Sequence, residues 1–260
     1  MMMIDLHCHI LPGLDDGAKD MEETLRMCTM AAKDGVKKIV ATPHTMNGVY
    51  VNETQAIKQA VGELNDVLVT KQIPLEILPG ADVHINLNLL RLIKQGLVTT
   101  INDNHRYLLL ELPHQLVPPN FKNLIFELSL QGIIPILTHP ERNSILQNDI
   151  NLLYELVMQG ILIQITTRSL TGGFGPKAEN CCRNLLKYNL VHVIASDAHS
   201  STVRPPLLSH AVEEAGRIIG ETNALALVAA NPQAIVEGKD LPESEEPEKP
   251  KQSFFQRIFG

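Results

Sequence analysis

The side chains best suited to chemistry in this chain are histidines and carboxylates that fall at or just after short apolar runs: His7, His9, His44, Asp82, Glu111, His139, Asp197 and His199. His7 and His9 are two apart, so an extended backbone puts both imidazoles on one face, as a two-histidine metal clamp requires. Asp197 and His199 repeat that spacing at the far end of the chain. Asp16 joins them from the segment Leu11–Gly17, LPGLDDG, whose proline and glycines turn the chain sharply back toward the first apolar run. A turn or helix-capping role for Asp15 and Asp16 is the competing reading. One histidine or aspartate at a strand end is usually structural, whereas nine converging donors are not. Nitrogen and carboxylate ligands without thiolates suit zinc, manganese or iron, and nine exceed what one tetrahedral ion takes, so two or three ions are expected. Such a cluster lowers the pKa of a bound water and clamps attacking and leaving oxygens, the arrangement for phosphoester hydrolysis. Positive charge for the non-reacting phosphoryl oxygens is available from Arg142, three residues beyond His139, and Arg204, five beyond His199. An arginine fork meets that need better than a lysine, a solvated surface arginine being the ordinary alternative.

These donors need elements that bring them to one place. Strand-like runs occur at Met3–Leu6, Lys38–Ala41, Leu75–Leu78, Tyr107–Leu110, Ile134–Leu137, Ile161–Ile165 and His192–Ala195. Helical patterns lie between them, at Glu22–Asp34, Glu53–Val69, Leu87–Gln95, Asn120–Leu130, Ile150–Met158 and Lys177–Lys187, and Gly35, Gly96, Gly132 and Gly160 follow several of these patterns. Alternating strands and helices give a parallel sheet covered on both faces, with every strand end on the same carboxyl face. The favoured architecture is α/β, a distorted seven-stranded TIM-like barrel; an open doubly wound sheet is the alternative.

Composition bounds the rest. With 260 residues and 44% hydrophobic content, the chain can bury one sizeable core, assigned to residues 1–240. Its formal charge of −7 argues against a broad nucleic-acid surface. No run approaches a membrane span, and a basic-then-apolar leader is missing, so a soluble, cytoplasmic protein is expected. Cys8, Cys28, Cys181 and Cys182 show no zinc-ribbon or redox spacing, which fits reduced thiols. A cysteine-based phosphatase needs an arginine six positions after its nucleophile, but Leu14, Asp34, Lys187 and Tyr188 stand there. From Leu241 the run PESEEPEKPK reads as a flexible tail, residues 241–260. Its end, Ser253–Gly260, holds three of the six phenylalanines and suggests either a frayed terminus or a weak peripheral membrane contact.

The motifs DLHCH, LDDG, TPH at 42–44, GAD at 80–82, LLLEL at 108–112, THPER at 138–142 and ASDAH at 195–199 together resemble the polymerase-and-histidinol-phosphatase (PHP) superfamily. LDDG, HPER and ASDAH with the downstream RPP are similar to its capsule and exopolysaccharide tyrosine-phosphatase branch, over roughly residues 3–237. The resemblance implies a distorted seven-stranded βα barrel and a trinuclear site usually supplied with manganese, with iron, zinc or magnesium as substitutes. It implies that His7, His9 and Asp197 hold one ion, Glu111 and His139 a second, and Asp16, His44 and His199 a third, with Asp82 bridging the first two. It also gives Arg142 and Arg204 as phosphate binders. One departure is that Asp82 stands where the family commonly has glutamate, so a displaced bridge is expected, with His84 as an alternative contributor or a bystander. The implied activity is metal-dependent phosphotyrosine hydrolysis by an activated hydroxide, without a cysteinyl phosphoenzyme. His44, His199 or a metal-bound water near Asp16 would assist the leaving oxygen, and the substrate would be the phosphotyrosine tail of a bacterial tyrosine kinase controlling polysaccharide synthesis. The rivals are a small-molecule phosphatase, such as a histidinol phosphatase, and a metal-bound regulator without catalysis.

Overall fold

The computed structural model describes residues 2–250; the segment Ser253–Gly260 singled out above lies outside them. Nine strands are present among these residues: β1 (Met3–Cys8), β2 (Val36–Ala41), β3 (His44–Thr45), β4 (Glu76–Pro79), β5 (Asp82–His84), β6 (Tyr107–Glu111), β7 (Ile134–Thr138), β8 (Leu162–Thr166) and β9 (Val193–Ala195). All pairings are parallel, in two sheets ordered β1-β2-β4 and β3-β5-β6-β7-β8-β9. Every apolar run read as a strand contains one, and the fold is α/β with parallel sheets.

Among the described residues the strands fall in two sheets, and no single ladder joins them. Two short strands, β3 and β5, lie outside the seven expected runs. Pro43 separates β2 from β3, and β4 ends at Pro79; a proline has no N–H to continue a ladder. Gly80 follows, where an added Cβ would lie 2.5 Å from Val40 Cγ1, so only glycine lets the chain cross β2 so closely. β1 and β9 meet through one bridge, Cys8 to Ala198, and two hydrogen bonds, Asp197 N–H to His7 O and His9 N–H to Ala198 O, each 2.8 Å.

Side chains alternate along these strands. Ile4, Leu6, Val40, Leu78, Tyr107, Leu109, Ile136, Val193 and Ala195 form one buried cluster, closed below by Ile235 and Val236. Their neighbours Ile39, Ile77, Leu110, Leu137, Ile163 and Ile194 pack outward in the larger core beneath the helices. The foreseen helices appear as Met21–Lys33, Thr54–Thr70, Leu89–Lys94, Phe121–Ser129, Ile150–Met158 and Pro176–Lys187. The first begins where Asp20 accepts a 2.9 Å hydrogen bond from Glu23 N–H and ends just before Gly35, whose φ of +96° leaves the helix. Helices Thr167–Leu170, Ser209–Ile219, Glu221–Ala226 and Ala230–Val236 add to these. Residues 241–250 carry neither helix nor strand and run along the body, with Glu248 N–H donating to Tyr188 O at 2.9 Å. Among the described residues no helix is long and apolar enough to cross a membrane.

Candidate metal centre

Six of the nine strands described carry or lead into one of the donors. β1 supplies His7 and leads into His9; β3 opens with His44, β5 with Asp82, and β6 ends on Glu111. His139 follows β7, and Asp197 and His199 follow β9. The register is direct: His44 pairs with Asp82 across β3 and β5, and His84 with Glu111 across β5 and β6. Asp16 arrives by the LDDG turn, which folds back on β1 through an Ala18 N–H to His9 O hydrogen bond of 3.0 Å. Gly17 is what permits this return, since a Cβ there would sit 2.1 Å from His9 O and 2.5 Å from His9 Cβ. We therefore expect Gly17→Ala to displace the loop and remove at least tenfold of the divalent-metal affinity, read by calorimetric titration; unchanged affinity would show that the loop has no part in binding.

The donors form one continuous cluster. His9, Asp16, His44 and His199 converge, as do His7, His9 and Asp82, and His44, Asp82 and Glu111. His7 Nε2 lies 3.1 Å from His9 Nε2, and both stand 3.4 Å from Asp197 Oδ1. Asp82 Oδ2 lies 3.6 Å from His7 Nε2 and 3.3 Å from His44 Nδ1. Glu111 reaches His44 at 3.6 Å with one oxygen and His139 at 3.7 Å with the other. Asp16 Oδ1 stands 3.6 Å from His44 and 3.5 Å from His199. His9 thus faces both His7 and the Asp16 group, and His44 faces Asp82 and Glu111 as well as Asp16. His84 stays outside, its Nδ1 directed at Ile85 O, 3.1 Å away.

Electrostatics shows what this arrangement lacks. Burial raises the Glu111 carboxyl, and with Asp82 alongside it reaches about 8. Burial also pushes His199 down to about 4, aided by His9, and holds His139 well below the ordinary histidine range beside Arg142. His9 goes the other way: burial opposes its charge, but Asp15 and Asp197 lift it to about 10. Asp82 and Asp197 resist the upward push of burial because histidines surround them, and Arg204 adds to the effect on Asp197. The buried His44 Nδ1 and Asp82 Oδ2 have no hydrogen-bond partner. Orphaned buried acceptors, and histidine nitrogens turned toward each other, cost free energy unless a cation lies between them. The donor set therefore fits divalent metal, with oxygen and nitrogen ligands and no thiolate.

Several supporting residues carried no distinctive signal in the sequence. Asp15 accepts from His9 Nδ1 at 2.6 Å and from His44 N–H at 2.9 Å, and Gln164 Oε1 sits 2.9 Å from His7 Nδ1. These contacts turn each Nε2 toward the centre, the usual task of a group behind a metal ligand. Asp15 stands beside Asp16 in the LDDG motif, and its turn role held attention; Gln164, inside β8, had nothing to mark it. We expect Asp15→Asn to weaken metal binding by about 10- to 100-fold, read by calorimetric titration, and, because it removes the buried partner of His9, to lower the melting temperature of the metal-free protein.

Arg142 and Arg204 both donate to Asp197 Oδ2, Arg142 at 2.6 Å. Two guanidinium groups thereby stand side by side at the edge of the cluster. His139 and Asp197 hold left-handed backbone angles, φ +33° and +50°, an unfavourable conformation that packing sustains chiefly at functional sites. The four cysteines are buried and free. Burial pushes the thiols of Cys28 and Cys181 up to about 12 and raises those of Cys8 and Cys182 well above the ordinary thiol range, so none is a nucleophile near neutral pH.

Comparison with known proteins agrees with this geometry. The family described as capsular polysaccharide synthesis, CpsB/CapC, matches residues 3–237. The tyrosine-protein phosphatase YwqE of Bacillus subtilis (strain 168) is 41% identical over 202 residues, which cover 78% of this chain and 79% of that protein. The putative tyrosine-protein phosphatase CapC of Staphylococcus aureus is 38% identical over 206 residues, 79% of this chain and 80% of that one. A solved structure from the pair YwqE of Bacillus subtilis and CpsB of Streptococcus pneumoniae, described as unique metal-dependent tyrosine phosphatases, superposes with a TM-score of 0.91. It is 36% identical and covers 96% of this chain and all of that one. With the family match spanning nearly the whole body of the fold, this chain belongs to the CpsB/CapC family of capsular polysaccharide synthesis.

Proposed function

We propose that this chain is a metal-dependent protein-tyrosine phosphatase. The observation that carries the reading is the continuous histidine and carboxylate cluster at the strand ends, with its orphaned buried His44 Nδ1 and Asp82 Oδ2, flanked by Arg142 and Arg204. His7, His9 and Asp197 would hold one ion, Glu111 and His139 a second, and Asp16, His44 and His199 a third, with Asp82 between the first two. Manganese is the metal we assign, because oxygen and imidazole donors suit it; zinc, iron and magnesium compete for the same donors. Bound ions would supply a water of lowered pKa and positive charge opposite the phosphoryl oxygens.

The chain's own residues do the rest. Arg142 and Arg204 leave Asp197 in part to take the phosphoryl oxygens in a fork, which fixes the group and neutralises its charge. Asp16 is the most open of the cluster's carboxylates, with a side chain 55% exposed, so its end of the cluster forms the mouth. His44 and His199, each within 3.6 Å of Asp16, stand at this mouth as ligands for the third ion, and a phenolate leaves readily enough to need little help from an acid. The inward cluster of alternate strand residues supports reading the two sheets as one distorted PHP-type barrel, with the Cys8 to Ala198 bridge at its seam. The assigned substrate is a phosphotyrosine on a bacterial tyrosine kinase of a polysaccharide locus, met in the cytoplasm. Residues 1–240 are the catalytic domain, and 241–260 a tail.

The test is phosphate release by metal-stripped protein titrated with manganese, on a phosphotyrosyl peptide and on histidinol phosphate. Manganese-restored cleavage of the peptide in preference to histidinol phosphate is expected. The reverse preference would make the chain a small-molecule phosphatase, and stoichiometric metal binding with neither activity would make it a regulator.

A further inference from the structure

Behind the two arginines stands a residue that neither the ligand motifs nor the phosphate-binding reading accounts for. After β8 the chain makes the short helix Thr167–Leu170 and then the loop Thr171–Gly175, TGGFG, which lifts Phe174 beside the site. The Phe174 ring centre lies 4.7 Å from Arg142 Cζ, 5.5 Å from Arg168 Cζ and 5.7 Å from Arg204 Cζ. Three guanidinium groups thus surround one ring, and two of them also hold Asp197.

The loop is built to stay where it is. Gly172 and Gly175 take φ of +83° and +88°, which a side chain would strain. A Cβ on Gly173 would come within 2.5 Å of Arg168 Cγ, so glycine is needed there for the arginine to lie across the turn. Gly173 N–H donates to Arg168 O at 2.8 Å, and the Arg168 guanidinium donates to Val203 O, tying this loop to the one that carries Arg204. Thr166, at the end of β8, donates from its N–H and hydroxyl to the buried Glu141 at 3.0 Å, which fixes the loop's base to the HPER segment of Arg142.

Despite these contacts, Phe174 remains 36% exposed. A ring serving only as a spacer between arginines would be covered by them, whereas this one keeps apolar surface open to solvent beside the place where the phosphoryl group is bound. A group esterified to that phosphoryl begins one oxygen further out. An aromatic ring there can pack offset or edge-on against Phe174, and an alkyl group gains less from the same contact.

We propose that Phe174 is a specificity-determining residue that receives the aromatic ring of the substrate. The proposal rests on the phosphatase reading above. It also explains the loop's glycines and the Arg168 tether as devices that fix the ring's position.

The test compares wild type, Phe174→Leu and Phe174→Tyr in two ways: turnover of a phosphotyrosyl peptide, and calorimetric binding of phenylphosphonate and methylphosphonate to the metal-loaded protein. Phe174→Leu is expected to lose about tenfold in kcat/KM, mostly through KM, and about tenfold in phenylphosphonate affinity, with methylphosphonate binding unchanged and Phe174→Tyr close to wild type. Equal losses on both phosphonates would overturn the proposal and make Phe174 a positioning residue for the arginines; no loss on either would overturn it outright. If wild type leaves the peptide intact, the phosphatase reading fails, while the phosphonate comparison still decides whether Phe174 meets an aromatic ring.

Discussion

Replacing Arg142 or Arg204 by alanine is expected to lower kcat on a phosphotyrosyl peptide by about 10²- to 10³-fold, as the loss of one preorganised donor to a developing negative charge does elsewhere. Lysine at either position should recover less than a tenth of the activity, because an ammonium cannot reproduce the two-pronged guanidinium contact. Both arginines also neutralise Asp197, so the variants need a metal determination alongside the kinetics. Bound metal within about 20% of wild type, together with the lost turnover, would place the effect on the phosphoryl group. Should either alanine variant keep more than a tenth of wild-type kcat, that arginine has no role in the reaction.

The second large effect is expected at His139. Its imidazole is fully buried opposite Glu111 and held uncharged by burial and by Arg142, the state in which a histidine can ligate. Removing it should abolish one binding site and lower turnover by about 10³-fold, since a lost metal charge is worth several kcal/mol and each 1.36 kcal/mol is tenfold. Alanine at a φ of +33° adds backbone strain of its own, so His139→Gly is the cleaner variant. Metal content one ion lower per chain, with manganese in excess failing to restore activity, is the expected result. A full metal complement in His139→Gly would remove His139 from the ligand set.

Much of this was legible because the chemistry is carried by rare side chains at regular places. A parallel α/β fold sends every strand end to one face, so histidines and acids after apolar runs had to meet, and all nine named donors do lie in one cluster or touch it. Their grouping was less accessible. Which donor faces which depends on ring rotation, and the sharing of His9 and His44 between groups is set by Asp15 and by the register of β3 with β5. The two-sheet division escaped because β3 and β5, 2 and 3 residues long and placed after Pro43 and Pro79, are too short to stand out as apolar runs. Phe174 escaped because a lone aromatic in a glycine loop is indistinguishable in sequence from an ordinary surface residue.

The seam between β1 and β9 bears on how the molecule comes into being. His7 and His9 are made first, but the groups that bond their backbones, Asp197 N–H and Ala198 O, are synthesised roughly 190 residues later. Loop closure over that span costs entropy that nearby contacts cannot offset early, and such non-local pairings form late. A nascent chain on the ribosome therefore carries two histidines with an unfinished cage until β9 arrives. The enzyme is switched on by its own completion, and truncation anywhere before His199 should leave a chain that neither closes nor collects its ions in order.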